Sequence, residues 1–223
     1  MFISEKYNFI FIHNQRAAGT SITNYLNQHA PDTYPLLPQH AYAIDGINKL
    51  TEKTWNHYYS FGFIRNPWDR LASWYSKIIE GSQTNHDNYF WKYVTDNSSN
   101  FEDFLYNCTD TISDDREVLS DDPDIVYKNK DAFVYQKSIL KNQLDYFSDK
   151  EGKIVTSFIG RFENLHQDFN TVLKNLSLPQ HELPLINKVK NRDYRLFYNN
   201  ETRELVAQRF KKDIEYFGYS FDQ

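Results

Sequence analysis

One cysteine, Cys108, stands alone in the 223 residues, so no disulfide can close within the chain and no cysteine-based metal cluster can form. Residues 1–15 carry charges at Glu5 and Lys6 and only a short apolar run, Phe9 to Ile12, too short for a signal-peptide core or a membrane span. These absences lead us to expect a cytoplasmic protein with no membrane span. A basic excess is also missing: 25 Lys and Arg stand against 30 Asp and Glu, a formal net charge of −5. Nucleic-acid binders usually spread a basic footprint over the domain, so no nucleic-acid partner is expected, and any anion held should be small and locally bound. The seven histidines are scattered, with no HExxH and no pair at helical spacing, which gives a metal site no local support. Internal repeats and low-complexity tracts are absent as well.

What the chain does have is core material. Hydrophobic residues make up 40% and aromatics 17%, enough for one well-packed domain over residues 1–223. Asn8 to His13, NFIFIH, is a continuous apolar run suited to a strand covered on both faces. Ile22, Tyr25, Leu26 and His29 then fall at helical spacing, which predicts a helix from about Thr20 to the stop at Pro31. A proline-rich loop and a helix near Tyr42 to Leu50 come next, with His40 at their junction. Tyr58 to Arg65, YYSFGFIR, reads as a second strand. It is followed by a clear helix start: Asn66 as N-cap, Pro67 at the first helical position and Asp69 in the first turn.

That helix carries a packing face of Trp68, Leu71, Tyr75 and Ile78, beside a polar stripe of Arg70, Ser73 and Lys77 that can meet a ligand. From about residue 81 to 130 the sequence changes character and reads as an irregular helical insertion, whose Trp91, Phe101, Phe104 and Leu105 still need burial. Lys153 to Phe162 returns to strand, a helix over residues 163–176 follows, and a final helix is expected from about Glu201 to Tyr216. The alternation predicts an α/β fold with a central, mainly parallel sheet flanked by helices, and with ligand loops at the carboxyl ends of the strands.

The segment FIHNQRAAGTSI, residues 11–22, passes from the first strand into the first helix. Such a turn aims backbone N–H groups, and the positive end of the helix dipole, at whatever sits above it. Gly19 allows close approach, Thr20 and Ser21 add hydroxyl donors, and Arg16 adds a permanent charge with forked donors for phosphate or sulfate oxygens. Taken alone, the segment reads equally well as a tight turn with a capped helix and a solvated arginine. A Walker-type site would need GxxxxGK[ST] and an acid to hold magnesium, whereas here the second strand ends in Arg65.

Two phosphate-type motifs in this order resemble the sulfotransferases that use 3′-phosphoadenosine 5′-phosphosulfate, especially their carbohydrate-type branch, which has a three-layer, P-loop-like fold. Gln15 to Ser21 match that family's 5′-phosphosulfate loop, similar to P-K-T-A-G-T-S. Arg65, Asn66, Pro67, Arg70 and Ser73 match its 3′-phosphate motif, similar to R-N-P-x-x-R-x-x-S. The likeness includes Ile159 to Phe169 and the C-terminal RFKKDIEYFGYSF, and it omits about residues 81–130.

The resemblance implies that Arg16, Ala17, Ala18, Gly19, Thr20 and Ser21 hold the 5′-phosphosulfate, that Arg65 and Ser73 hold the 3′-phosphate, and that the product is adenosine 3′,5′-bisphosphate. It implies no metal, and a small-molecule or glycan acceptor. The family's loop lysine is Arg16 here and its proline is Gln15. Arginine stabilises charge on the leaving phosphate but does not give up a proton.

Sulfuryl transfer needs a base for the acceptor hydroxyl, and His40 occupies the place where similar proteins carry a histidine. The competing reading has His40 capping or packing the helix behind it. His13, at the strand end, more often satisfies a backbone group. Lys188, Lys190 and Arg192 form either a loop that closes over the nucleotide or a solvated basic loop. Phe90, Trp91 and Tyr93 either stack on a sugar or fill the insertion's core. Two other functions remain open from the residues: a P-loop kinase-like phosphotransferase, and a catalytically weak nucleotide-binding protein of the same fold.

Overall fold

Every residue of FIFI is buried because its strand lies inside a sheet covered on both faces. The computed structural model describes residues 1–82, 89–109, 141–181, 183 and 193–223. Its strands are β1 (Phe2–Ser4), β2 (Phe9–Ile12), β3 (Tyr34–Pro35), β4 (Tyr59–Ile64) and β5 (Phe158–Arg161), in the order β3-β1-β2-β4-β5. The helices in chain order begin with α1 (Gly19–His29), α2 (Ala43–Leu50), α3 (Glu52–Trp55), α4 (Pro67–Ser82) and α5 (Tyr89–Asn97). They continue with α6 (Phe101–Asn107), α7 (Leu165–Asn175), α8 (Asn200–Arg209) and α9 (Lys211–Phe217). Two compact units emerge: the first holds residues 1–66, 142–188 and 212–220, the second residues 67–141, 189–211 and 221–223. No helix among the described residues is long and apolar enough to cross a membrane.

The first unit contains the whole sheet. β2, β4 and β5 run parallel, with Ile12 opposite Gly62 and Ile64 opposite Arg161, so their carboxyl ends emerge along one edge. β1 is antiparallel to both β2 and β3, which makes the sheet mixed where a mainly parallel one is expected. The extra strands are short and escape periodicity. β1 turns back into β2 through residues 5–8, helped by Asn8 at φ 51°, a left-handed position that asparagine tolerates.

Strand alternation divides the core in two. Phe9, Phe11, Phe61 and Phe63 pack with Ile22, Tyr25 and Leu26 of α1 and with Phe169, Val172 and Leu173 of α7. Ile10, Ile12 and Ile64 face the other way, onto Ala43 of α2, Trp55 of α3, and Tyr146 and Phe147 of a 3₁₀ turn, Gln143–Phe147. The expected strand over Lys153 to Phe162 is regular only at Phe158–Arg161; Ile154 makes an isolated bridge to Ser148 instead.

In the second unit, Trp68, Leu71 and Ile78 of α4 are buried, as the periodicity predicts. Arg70 and Ser73 are also buried, so the polar stripe is not a solvent-facing one, and Arg70 donates to the carbonyl of Lys141 at 3.3 Å. Phe101 and Phe104 of α6 close a ring cluster with Tyr75 and Phe197, giving the helical pieces of the insertion their own core. Trp68 Nε1 donates to the carbonyl of Arg203 at 3.0 Å and its own carbonyl accepts from Tyr198 at 2.8 Å. The stretch from Asp110 to residue 140 lies outside the described residues.

The last helix is expected to be continuous, but it breaks at Phe210 into α8 and α9. In α9 the buried Asp213 carboxylate accepts from the backbone N–H groups of Gln143 at 2.8 Å and Leu144 at 2.9 Å. Asp213 thereby caps the 3₁₀ turn from outside it. Removing it strands buried donors, so Asp213→Ala should lower stability by about 2–4 kcal/mol. Asp213→Asn should lose less, since its amide oxygen still accepts; equal melting temperatures for Asp213→Ala and the parent would contradict this role.

Candidate active site

The carboxyl edge of the sheet carries the first motif on the turn after β2. Arg16 and Ala18 both sit in the left-handed region, at φ 64° and 63°. For residues with a Cβ this costs on the order of 1 kcal/mol each, so neighbours must hold the turn. Ala17 between them is buried, and the side chain of Arg65 donates from Nη1 to the carbonyl of Arg16 at 3.3 Å. Ala18 is the N-cap of α1, contributes no side-chain cap, and the first turn contains no acid. The first turn of this helix therefore adds no carboxylate of its own to offset its positive end. Thr20 is exposed there, while Ser21 is buried.

Gly19 is not in a left-handed conformation; its need for glycine is steric. A Cβ at this position would lie 2.1 Å from Nε2 of His13. The ring of His13 thus occupies the space above the start of α1. His13 is buried, and burial first, then the proximity of His40 and of the Met1 amino group, lowers its imidazole to about 3. It is neutral at physiological pH.

His40 reaches the same place from the loop before α2. Its Nδ1 lies 3.0 Å from the carbonyl oxygen of His13 and 3.3 Å from Nδ1 of the His13 ring. The loop is fixed just upstream, where the carbonyls of Leu37, Pro38 and Gln39 accept from the Met1 amino group at 3.3, 2.8 and 2.9 Å. Tyr42 is the N-cap of α2, its N–H donating to Asp45 at 2.9 Å, so His40 does not cap that helix.

The second motif begins where β4 ends. The guanidinium of Arg65 lies 4.0 Å over the ring of Phe162, at the carboxyl end of β5, which orients its edge toward the first turn. Asn66 donates its N–H to Glu163 at 2.6 Å and its side-chain nitrogen to the carbonyl of Ser220 at 2.8 Å. Glu163 also accepts from Tyr219 at 3.2 Å, and Arg161 lies over the Tyr219 ring at 4.9 Å. Arg161 and Glu163 therefore frame the site from behind.

Arg16, Gly19, His40 and Arg65 are thus gathered at one edge of the first unit. Ser73 belongs to α4 of the second unit, and Lys188, Lys190 and Arg192 lie outside the described residues. Sequence reasoning misses Gln143, which bonds both Asn14 and the backbone of Arg65. No local pattern marks it. Asp213 did leave a signal, an acid three residues beyond Phe210 on the apolar stripe of a helix. Because the ring of His13 fills the Cβ position of Gly19, Gly19→Ala should lower the melting temperature, by about 1–3 kcal/mol in stability. In a His13→Ala background the same change should cost little, a non-additivity read directly from thermal melts.

No curated protein and no solved structure matches the chain. The sequence profile of the sulfotransferase family does, over residues 1–220, a span that includes both motifs, β1 to β5 and the helices on either face of the sheet. The turn after β2, the arginine that ends β4 and the histidine pair beside them accordingly lie in a chain that belongs to the sulfotransferase family.

Proposed function

We propose that the protein transfers a sulfuryl group from 3′-phosphoadenosine 5′-phosphosulfate to an acceptor hydroxyl, with a carbohydrate as the acceptor. The observation that carries this reading is the side chain of Arg65 bonded to the backbone of Arg16, which ties two cationic elements to one sheet edge beside His40. A donor nucleotide charged at both ends would need two such elements. The residues fit it: the start of α1, Arg16, Ala17, Ala18, Gly19, Thr20 and Ser21 would hold the 5′-phosphosulfate, and Arg65 the 3′-phosphate. The resemblance assigns Ser73 to the same phosphate. The same reading takes the fold as three-layered and P-loop-like, which the helices on both faces of the sheet support.

In this mechanism the acceptor oxygen forms a bond to sulfur as the bond from sulfur to the phosphate oxygen breaks. His40 takes the proton released by the hydroxyl, and the negative charge that appears on the leaving phosphate is met by Arg16 and the N-terminus of α1. Arg16 is a charge stabiliser and not a proton donor, so protonation of the leaving group falls to solvent. The carbohydrate acceptor comes from the resemblance alone.

Calorimetric titration tests the donor. Adenosine 3′,5′-bisphosphate should bind without added metal, and Arg65→Ala should weaken it at least tenfold, on the order of one charged hydrogen bond. Tighter binding of ATP with magnesium, or an unchanged Arg65→Ala affinity, would point to the kinase-like alternative or to neither. His40→Ala should bind the bisphosphate as the parent does while sulfuryl transfer falls on the order of 10²- to 10⁴-fold. Bisphosphate binding without transfer to any hydroxyl by the parental protein would favour a catalytically weak nucleotide-binding protein.

A further inference from the structure

Of the atoms around His40, the carbonyl oxygen of His13 is the most informative, because a carbonyl can only accept a hydrogen bond. At 3.0 Å from it, Nδ1 of a neutral His40 must carry the ring's one proton. The ring Nδ1 of His13, 3.3 Å from the same atom, then faces a donor and serves as a second acceptor. We propose that His13 is a positioning residue, which through its carbonyl oxygen and its ring Nδ1 fixes His40 in the tautomer protonated on Nδ1 and leaves Nε2 as the proton-accepting atom.

Several observations support the assignment. His13 is 4% exposed and is set between the ring of Phe11 and the Cβ position of Gly19, so it has little freedom to turn. Burial first, then, among the described residues, the charges of His40 and the Met1 amino group disfavour its protonated form, so it stays neutral with one ring nitrogen free to accept. With His13 Nδ1 accepting, its proton is on Nε2, 3.1 Å from the side-chain amide nitrogen of Gln39. This requires the amide oxygen on that side, a half-turn that the exposed Gln39 makes without change of shape. When His40 gains a proton on Nε2, its Nδ1–H still points at two acceptors, which favours the imidazolium formed as the acceptor hydroxyl is deprotonated.

The catalytic consequence rests on the proposed role of His40, whereas the tautomer does not. The test is a long-range proton–nitrogen correlation spectrum of the intact protein, recorded through a pH titration with neither donor nor acceptor present. The expected result is a neutral His40 protonated on Nδ1 and bare on Nε2. His13→Leu, which keeps the carbonyl but removes the ring acceptor, should lower the apparent pKa of His40 by about half a unit or more and populate the other tautomer. His13→Asn, whose side-chain oxygen falls near the former Nδ1, should restore both toward the parental values. A parental His40 protonated on Nε2, or a His13→Leu spectrum identical to the parent's, overturns the proposal. Should His13→Leu fail to fold, the parental spectrum and the His13→Asn titration still decide it. A protein that shows the expected tautomer and pKa changes yet transfers no sulfuryl group would sink the proposed function and leave the positioning role standing.

Discussion

The frame beneath the site depends on one buried side-chain amide. The oxygen of Gln143 accepts from the side chain of Asn14 at 3.0 Å and from the N–H of Arg65 at 2.9 Å; its nitrogen donates to the carbonyl of Arg65 at 2.7 Å and to Asp213 at 3.3 Å. Asn14 in turn donates to the carbonyl of Phe63 at 2.9 Å. Beyond Ile12 and Gly62 the regular ladder between β2 and β4 ends, so side chains supply the bonds that the strands no longer make. Buried amides with every valence used are stiff, because any shift leaves a desolvated polar group without its bond. The turn bearing Arg16 and the arginine that ends β4 therefore leave the sheet in a fixed relation to each other.

On this frame, arginine chemistry and helix electrostatics divide the work. A guanidinium is flat, and Arg65 uses its face on Phe162 and its edge on the carbonyl of Arg16. A lysine has neither geometry. The left-handed turn that it steadies brings the chain onto α1 without an acid at the helix entrance, in a molecule whose net charge is −5. The start of α1 thus keeps its positive dipole end without an acid of its own first turn, against an overall charge of the opposite sign.

Much of the fold was legible because it is written in local patterns. β2, β4, α1, α2, α4 and α7 follow from apolar periodicity and from signals such as Asn66-Pro67 and lie close to their expected bounds, while β5 keeps only the second half of its expected strand. β1 and β3 are too short to show a period, and their pairing makes the sheet mixed. The long final helix looked continuous because Val206, Phe210 and Ile214 keep helical spacing across the break. Of the site, the two motifs were visible as strings, and so was a histidine before the second strand. The close approach of His13 to Gly19 was not, since nothing in a strand-end histidine tells where its ring will rest. Gln143 was invisible for a plainer reason: it stands 129 residues from Asn14 and 70 from Asp213.

Those separations set an entropic cost on the site. Contacts so distant along the chain close long loops, and the surrounding sheet and helices offset that cost. A partly folded chain in which Asp213 has not reached the 3₁₀ turn lacks the bonds that hold Gln143 and Leu144, and with them the full support of Gln143 for the backbone of Arg65. Any ligand of this edge consequently recognises the finished protein alone, and its whole binding energy is added to the native state's advantage over every incomplete form.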